Sequence, residues 1–202
     1  ILSMTGEKEF HGISAKALAN NYSKHFPSAG KEKIAVLYAV GEILSEEGAA
    51  TDGLSIYWPT IVKEIKALQK DDNVKAVVLR VNSPGGSAFA SEQIWKALTE
   101  LRDVKPLIVS MGDYAASGGY YISAPADYVF AEPNTLTGSI GVFGMIPDFS
   151  GLANRKLGVT FQEVKTHDLG AMHLYRPATS VESEKIQKSV EHTYDLFLSR
   201  CA

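Results

Sequence analysis

Three apolar runs of strand length, Lys33–Val40, Val74–Val81 and Val104–Met111, recur along this chain with helical stretches between them. Each is nearly continuous in apolar residues, the pattern of a strand buried on both faces of a parallel sheet. Between the first two lies a helix near Pro59 to Lys70, with Ile61, Ile65 and Leu68 on one face. A second helix, carrying Ile94, Leu98 and Leu101, separates the second run from the third. Strand, helix, strand and helix with short connections predict an α/β fold, a mostly parallel sheet with right-handed crossovers. Further on, Tyr128–Ala131 and Gly138–Phe143 read as short strands, Phe149–Leu157 as a helix and Val159–Val164 as a strand. The last helix opens with a capping box, Thr179 and Glu182, and sets Ile186, Val190 and Phe197 along one stripe. Residues 1–30 are polar and mixed, with a helix near Ala15 to His25, and read as an extension from a preceding unit; residues 31–202 form the α/β domain.

Composition narrows the function classes. A hydrophobic content of 45% is ample for a packed core. The net charge of −3 does not favour non-specific binding to nucleic acid. A single cysteine, Cys201, excludes an intrachain disulfide and any cysteine-based metal cluster. The five histidines show no metal-ligand pairing, so a zinc site is not expected. No apolar run reaches the roughly 18–20 residues that span a bilayer, and the start at Ile1 lacks a basic region followed by an apolar one. The chain opens without Met and stops inside a helical pattern, which points to a piece of a longer protein.

The chemistry concentrates in two glycine-rich turns at the C-terminal ends of predicted parallel strands, where open α/β sheets place their sites. The first is Ser83-Pro-Gly-Gly-Ser87 and the second Ala116-Ser-Gly-Gly119. Ser117 has only Ala and Gly beside it, so its hydroxyl is uncrowded. A serine at a tight strand-to-helix junction can present an attacking oxygen and an oxyanion-binding N–H together. In the first turn the N–H of Gly85 or Gly86 could pair with that of Gly118. A small serine packed among glycines for structural reasons is the alternative. The first turn lacks the lysine and spacing of a phosphate-binding loop.

Three segments, Val81-Asn-Ser-Pro-Gly-Gly-Ser87, Met111-Gly-Asp-Tyr-Ala-Ala-Ser-Gly-Gly-Tyr-Tyr121 and Asn134-Thr-Leu-Thr-Gly-Ser-Ile-Gly-Val-Phe-Gly144, resemble the signal peptide peptidase A (protease IV) family in order and spacing. The resemblance covers roughly residues 30 to 200 and implies the fold of the ClpP and crotonase superfamily. It implies a serine endopeptidase with a Ser-Lys dyad that degrades cleaved signal peptides, in a homo-oligomeric protein anchored at the periplasmic face of a bacterial inner membrane. By motif, Ser117 corresponds to the nucleophile, Gly118 and Gly85 to oxyanion donors, and Ser139 to the serine that orients the base lysine. Gly86, Ser87 and Ala88 resemble the edge that pairs with substrate backbone. No metal or organic cofactor is implied.

One departure from the family bears on mechanism. Short members carry the general-base lysine in a Lys-Asp-hydrophobic-Gly setting, whereas this chain has Val164-Lys-Thr-His-Asp-Leu-Gly170. His167 takes the expected place and Lys165 lies two residues earlier. Long members are tandem duplications in which the N-terminal half gives the lysine and the C-terminal half the serine. The serine motif, the degenerate lysine segment and the start at Ile1 together match a C-terminal half, whose partner is the N-terminal half of the same protein. Two other readings are a crotonase-like enzyme acting on acyl-CoA thioesters and a non-catalytic half that scaffolds an assembly.

Overall fold

The computed structural model describes residues 31–45, 55–167, 169 and 174–202. The expected helix near Ala15 to His25 lies outside them. The central sheet contains β1 (Lys33–Val40), β4 (Val74–Ser83), β5 (Leu107–Ala116) and β6 (Tyr128–Phe130) in that spatial order, with β7 (Leu136–Gly138) on the distal part of β5. β4, β6 and β7 all run parallel to β5. A separate parallel pair joins β2 (Glu42–Leu44) to β3 (Ser55–Tyr57). The expected α/β class with a mostly parallel sheet is therefore what the chain adopts.

The apolar runs explain the core. Leu37 and Ala39 of β1, Val77, Leu79 and Val81 of β4, and Leu107, Val109 and Met111 of β5 are buried together. Helix α1 (Trp58–Lys70) buries Ile61 and Ile65 against this cluster, with Pro59 in its first turn, where a missing N–H costs nothing. Helix α2 (Ala88–Arg102) contributes Ile94, Leu98 and Leu101. Its N-cap is Ser87, whose hydroxyl accepts the Ala90 N–H at 3.3 Å. Helix α3 (Gly118–Ser123) follows β5 directly, and α4 (Ser180–Cys201) opens on the expected capping box of Thr179 and Glu182.

Four expected elements shift. The third strand begins at Leu107 and continues to Ala116: α2 runs to Arg102, and Pro106, which has no N–H, joins the ladder only by accepting the Val77 N–H at 2.9 Å. The strand expected over Gly138–Phe143 is instead Leu136–Gly138, which stops where Ser139 turns to φ 49°. The helix expected over Phe149–Leu157 is present over residues 150–156, with Leu152–Lys156 wound as a π-helix. Val159–Val164 forms no strand; its apolar residues stay exposed, Val164 at 95%. Apolar content alone does not make a strand when no neighbour completes the ladder.

Strands β4 and β5 slip out of simple register between Val81 and Ser83, whose partners are Met111 and Ala115. Asn82 patches the slip by accepting the Tyr114 N–H on Oδ1 at 3.0 Å. This irregularity lies just before both glycine-rich turns.

Candidate active site

β5 carries the chain to Ala116, and Ser117 makes the turn into α3 with φ 51° and ψ −119°. A positive φ is costly for a residue with a Cβ, about 1–3 kcal/mol, and such strain clusters at functional sites. Among the described residues only Ser117 and Ser139 are non-glycine residues with positive φ. Both are serines that the motifs single out. The turn is held by two backbone bonds: Ser117 N–H donates to Gly138 O, and Tyr121 N–H donates to Ser117 O, each at 2.9 Å. The Ser117 hydroxyl makes no hydrogen bond to any described residue.

The two glycine-rich turns touch. A Cβ on Gly85 would lie 2.7 Å from Gly118 N and 2.8 Å from Ser117 Cβ, so only glycine permits this approach, and its φ of +103° adds to the requirement. The Gly85 N–H, however, donates to the buried Ser83 hydroxyl at 3.1 Å. The N–H groups of Gly86 and Gly118 have no hydrogen-bond partner among the described residues.

β2 lies against the segment that follows. Ile43 N–H donates to Gly85 O and Ser87 N–H to Ile43 O, both at 2.8 Å, with Gly86 bridged to Ile43 in parallel. One side of Gly86 is thus occupied, and its own N–H and C=O point the other way. Ser87 caps α2 and shares a 2.6 Å hydrogen bond with the Ser45 hydroxyl, while Ala88 is the first residue of that helix.

Ser117 lines two cavities. One, of about 250 Å³, is also lined by Gly86, Gly118, Tyr121, Phe143 and Phe197. The other, of about 460 Å³, brings Ser117 together with Ser139, Gly85 and Glu42. Lys165 and His167 line neither cavity. Lys165 instead lies 3.9 Å from a Glu163 carboxylate oxygen, and His167 is exposed. Tyr121, Phe197 and Glu42 are not given a site role by the sequence, although Tyr121 closes the second motif. Phe197 carried a signal, as the last position of the apolar stripe on α4; Glu42 carried none.

The site therefore combines a strained, uncrowded serine, unpaired backbone N–H groups and two cavities at the carboxyl end of a parallel strand. That is the class of α/β domain that binds its ligand at the strand ends. Residues 99–202 match the model of peptidase family S49. Protease 4 of Haemophilus influenzae is 45% identical over 171 residues, covering 82% of this chain and 26% of that protein. The chloroplastic serine protease SPPA of Arabidopsis thaliana is 36% identical over 180 residues, covering 87% of this chain and 26% of that one. Among solved structures, a ClpP1 variant from Listeria monocytogenes aligns with half of each chain, at 20% identity and a TM-score of 0.37. The chain belongs to peptidase family S49, and it spans about a quarter of the length of these two relatives.

Proposed function

We propose that this chain supplies the nucleophile of a serine endopeptidase that degrades signal peptides after their release from secreted proteins. The observation that carries this reading is the backbone of Ser117, held at positive φ with an unbonded hydroxyl against the Gly85 turn.

Attack of Ser117 Oγ on a peptide carbonyl carbon forms a C–O bond as the hydroxyl proton passes to a base. The carbonyl electrons move onto oxygen, and the oxyanion accepts N–H bonds from Gly118 and from the first turn. Of the two first-turn candidates, Gly86 is favoured over Gly85, because the Gly85 N–H is committed to Ser83. Each such donor contributes about 10²–10³ in kcat. Collapse of the intermediate breaks the C–N bond, the departing amine takes the proton, and water then hydrolyses the acyl-enzyme. A substrate strand would use the N–H and C=O of Gly86, with Ser87 and Ala88 flanking it. These steps use no metal or organic cofactor.

The base is assigned to a lysine of the N-terminal half of the same protein, oriented by Ser139 in the cavity it shares with Ser117. Burial would lower that lysine's pKa toward the operating pH. Lys165 and His167 are disfavoured as bases by their absence from both cavities. A parent protein at the periplasmic face of a bacterial inner membrane, assembled as a homo-oligomer, belongs to the same proposal. Among the described residues no helix is long and apolar enough to cross a membrane.

The test uses the full-length protein and a synthetic signal peptide. Hydrolysis that Ser117→Ala abolishes, with covalent labelling of Ser117 by a serine-directed acylating probe, is the expected outcome. Hydrolysis of acyl-CoA thioesters without labelling would favour the crotonase-like alternative. Full peptidase activity of this chain on its own would overturn the external base.

A further inference from the structure

The smaller cavity beside Ser117 is walled by a residue whose position is fixed from a distance. Tyr121 lies one helical turn beyond the serine, and its ring meets Phe197 of α4 with centroids 4.8 Å apart. The Tyr121 hydroxyl donates to Glu92 Oε2 on α2. The same carboxylate accepts Arg200 Nη2 at 2.8 Å and Nε at 3.3 Å from the far end of α4. The Arg200 guanidinium also stacks 4.0 Å from the centre of the Trp95 ring. A chain of phenol, carboxylate, guanidinium and indole thus runs from the wall of the cavity through α2 to the C-terminal helix.

Packing alone does not require this arrangement. Glu92 and Arg200 are only 25% and 28% exposed, and apolar residues would fill the same space at no desolvation cost. What charged partners add is a single geometry, because a carboxylate accepting from both a guanidinium fork and a phenol fixes where the phenol sits. Burial and the Glu92 carboxylate push the Tyr121 phenol well above the usual tyrosine range, so it remains a donor. The ring is therefore pinned where it lines the cavity.

We propose that Tyr121 is a specificity-determining residue of the cavity beside Ser117, and that Glu92 and Arg200 are positioning residues that act through it. The cavity is lined by glycine, alanine, valine, aromatic and hydroxyl side chains with no charged group. It takes an uncharged aliphatic side chain, on the residue whose carbonyl Ser117 attacks. With the phenol unpinned, the ring rotates into the cavity and a branched side chain loses its place, while alanine still fits. The inference rests on Ser117 being the nucleophile.

The test compares full-length wild type, Tyr121→Phe, Glu92→Gln and Arg200→Gln on peptides that differ only in presenting leucine or alanine at that residue. Labelling of Ser117 by methanesulfonyl fluoride, a probe too small to reach the wall, is measured in parallel. Tyr121→Phe keeps the ring and the Glu92–Arg200 pair, so it reports on pinning even where the other variants fold poorly. The expected result is a fall of about fivefold or more in the leucine-to-alanine ratio of kcat/KM, carried by KM, with the labelling rate within about twofold of wild type. An unchanged ratio in Tyr121→Phe overturns the proposal. So does an equal loss on both peptides and on labelling, which would make the chain a purely structural brace. Failure of wild type to label at Ser117 overturns the nucleophile assignment itself, and this inference with it.

Discussion

The Ser117 N–H donates to the Gly138 carbonyl at 2.9 Å, so the nucleophile candidate is tied to the residue immediately before Ser139. Two distant segments that each carry a strained serine thereby meet at a backbone bond. The bond extends the β5–β7 ladder, in which Ala116 pairs with Gly138. Position is thus set by sheet pairing, with the strain confined to the two residues that leave it.

That confinement can be measured by substitution at Ser117. Both Ser117→Ala and Ser117→Gly should abolish hydrolysis. Only glycine relieves the positive φ, however, so Ser117→Gly should be more stable than Ser117→Ala by about 1 kcal/mol in urea unfolding, net of glycine's extra entropy in the unfolded chain. Equal stability of the two variants would mean that the turn is not strained.

Gly85 should tolerate no side chain. A Cβ there would press on the Gly118 and Ala116 backbone at 2.7 and 2.9 Å, neither of which can swing aside. Gly85→Ala should lower stability by about 2 kcal/mol or more through overpacking and backbone strain, and it should remove serine labelling by separating the two turns. A stable variant that still labels would show that the turns need not touch.

Acid sensitivity should appear at the start of α4. The Arg176 guanidinium meets both Glu182 carboxylate oxygens at 2.8 Å, and the Thr179 N–H adds a third bond. Arg176 above all, and then the Thr179 backbone, hold the Glu182 carboxyl well below the usual carboxylate range. A depressed folded pKa gives stability that is present above the unfolded pKa and lost as pH falls toward the folded value. The stability difference between wild type and Glu182→Gln should therefore be largest near neutral pH and shrink between about pH 5 and pH 2. A difference independent of pH would assign Glu182 a capping role alone.

Much of the frame was legible because buried parallel strands leave long apolar runs, as in Val74–Val81. Ser117 was legible because its neighbours are all small, and Gly118 and Gly119 have to be, since a Cβ on either would lie 2.6 Å from Ser91 Oγ or Ser83 O. What escaped depended on partners far along the chain. Val159, Phe161 and Val164 give this stretch the apolar content of a strand, yet no other described strand pairs with them. Arg200 and Glu92 meet across 108 residues, and neither sits in a recognisable motif. Glu42 reaches the larger cavity only because Ile43 bridges Gly86, a pairing that no local pattern announces.

The slip between β4 and β5 has a consequence for how this sequence can change. From the Val81–Met111 pair to the Ser83–Ala115 pair, one strand advances two residues and the other four. The surplus is taken up on β5 between Met111 and Ala115, both buried, while Asp113 and Tyr114 between them are exposed. Loss or gain of one residue between Gly112 and Tyr114 would draw Ala115 and Ala116 away from their partners Ser83 and Gly138, and with them the backbone bond that seats Ser117. The length of this stretch is therefore itself a determinant of where Ser117 sits.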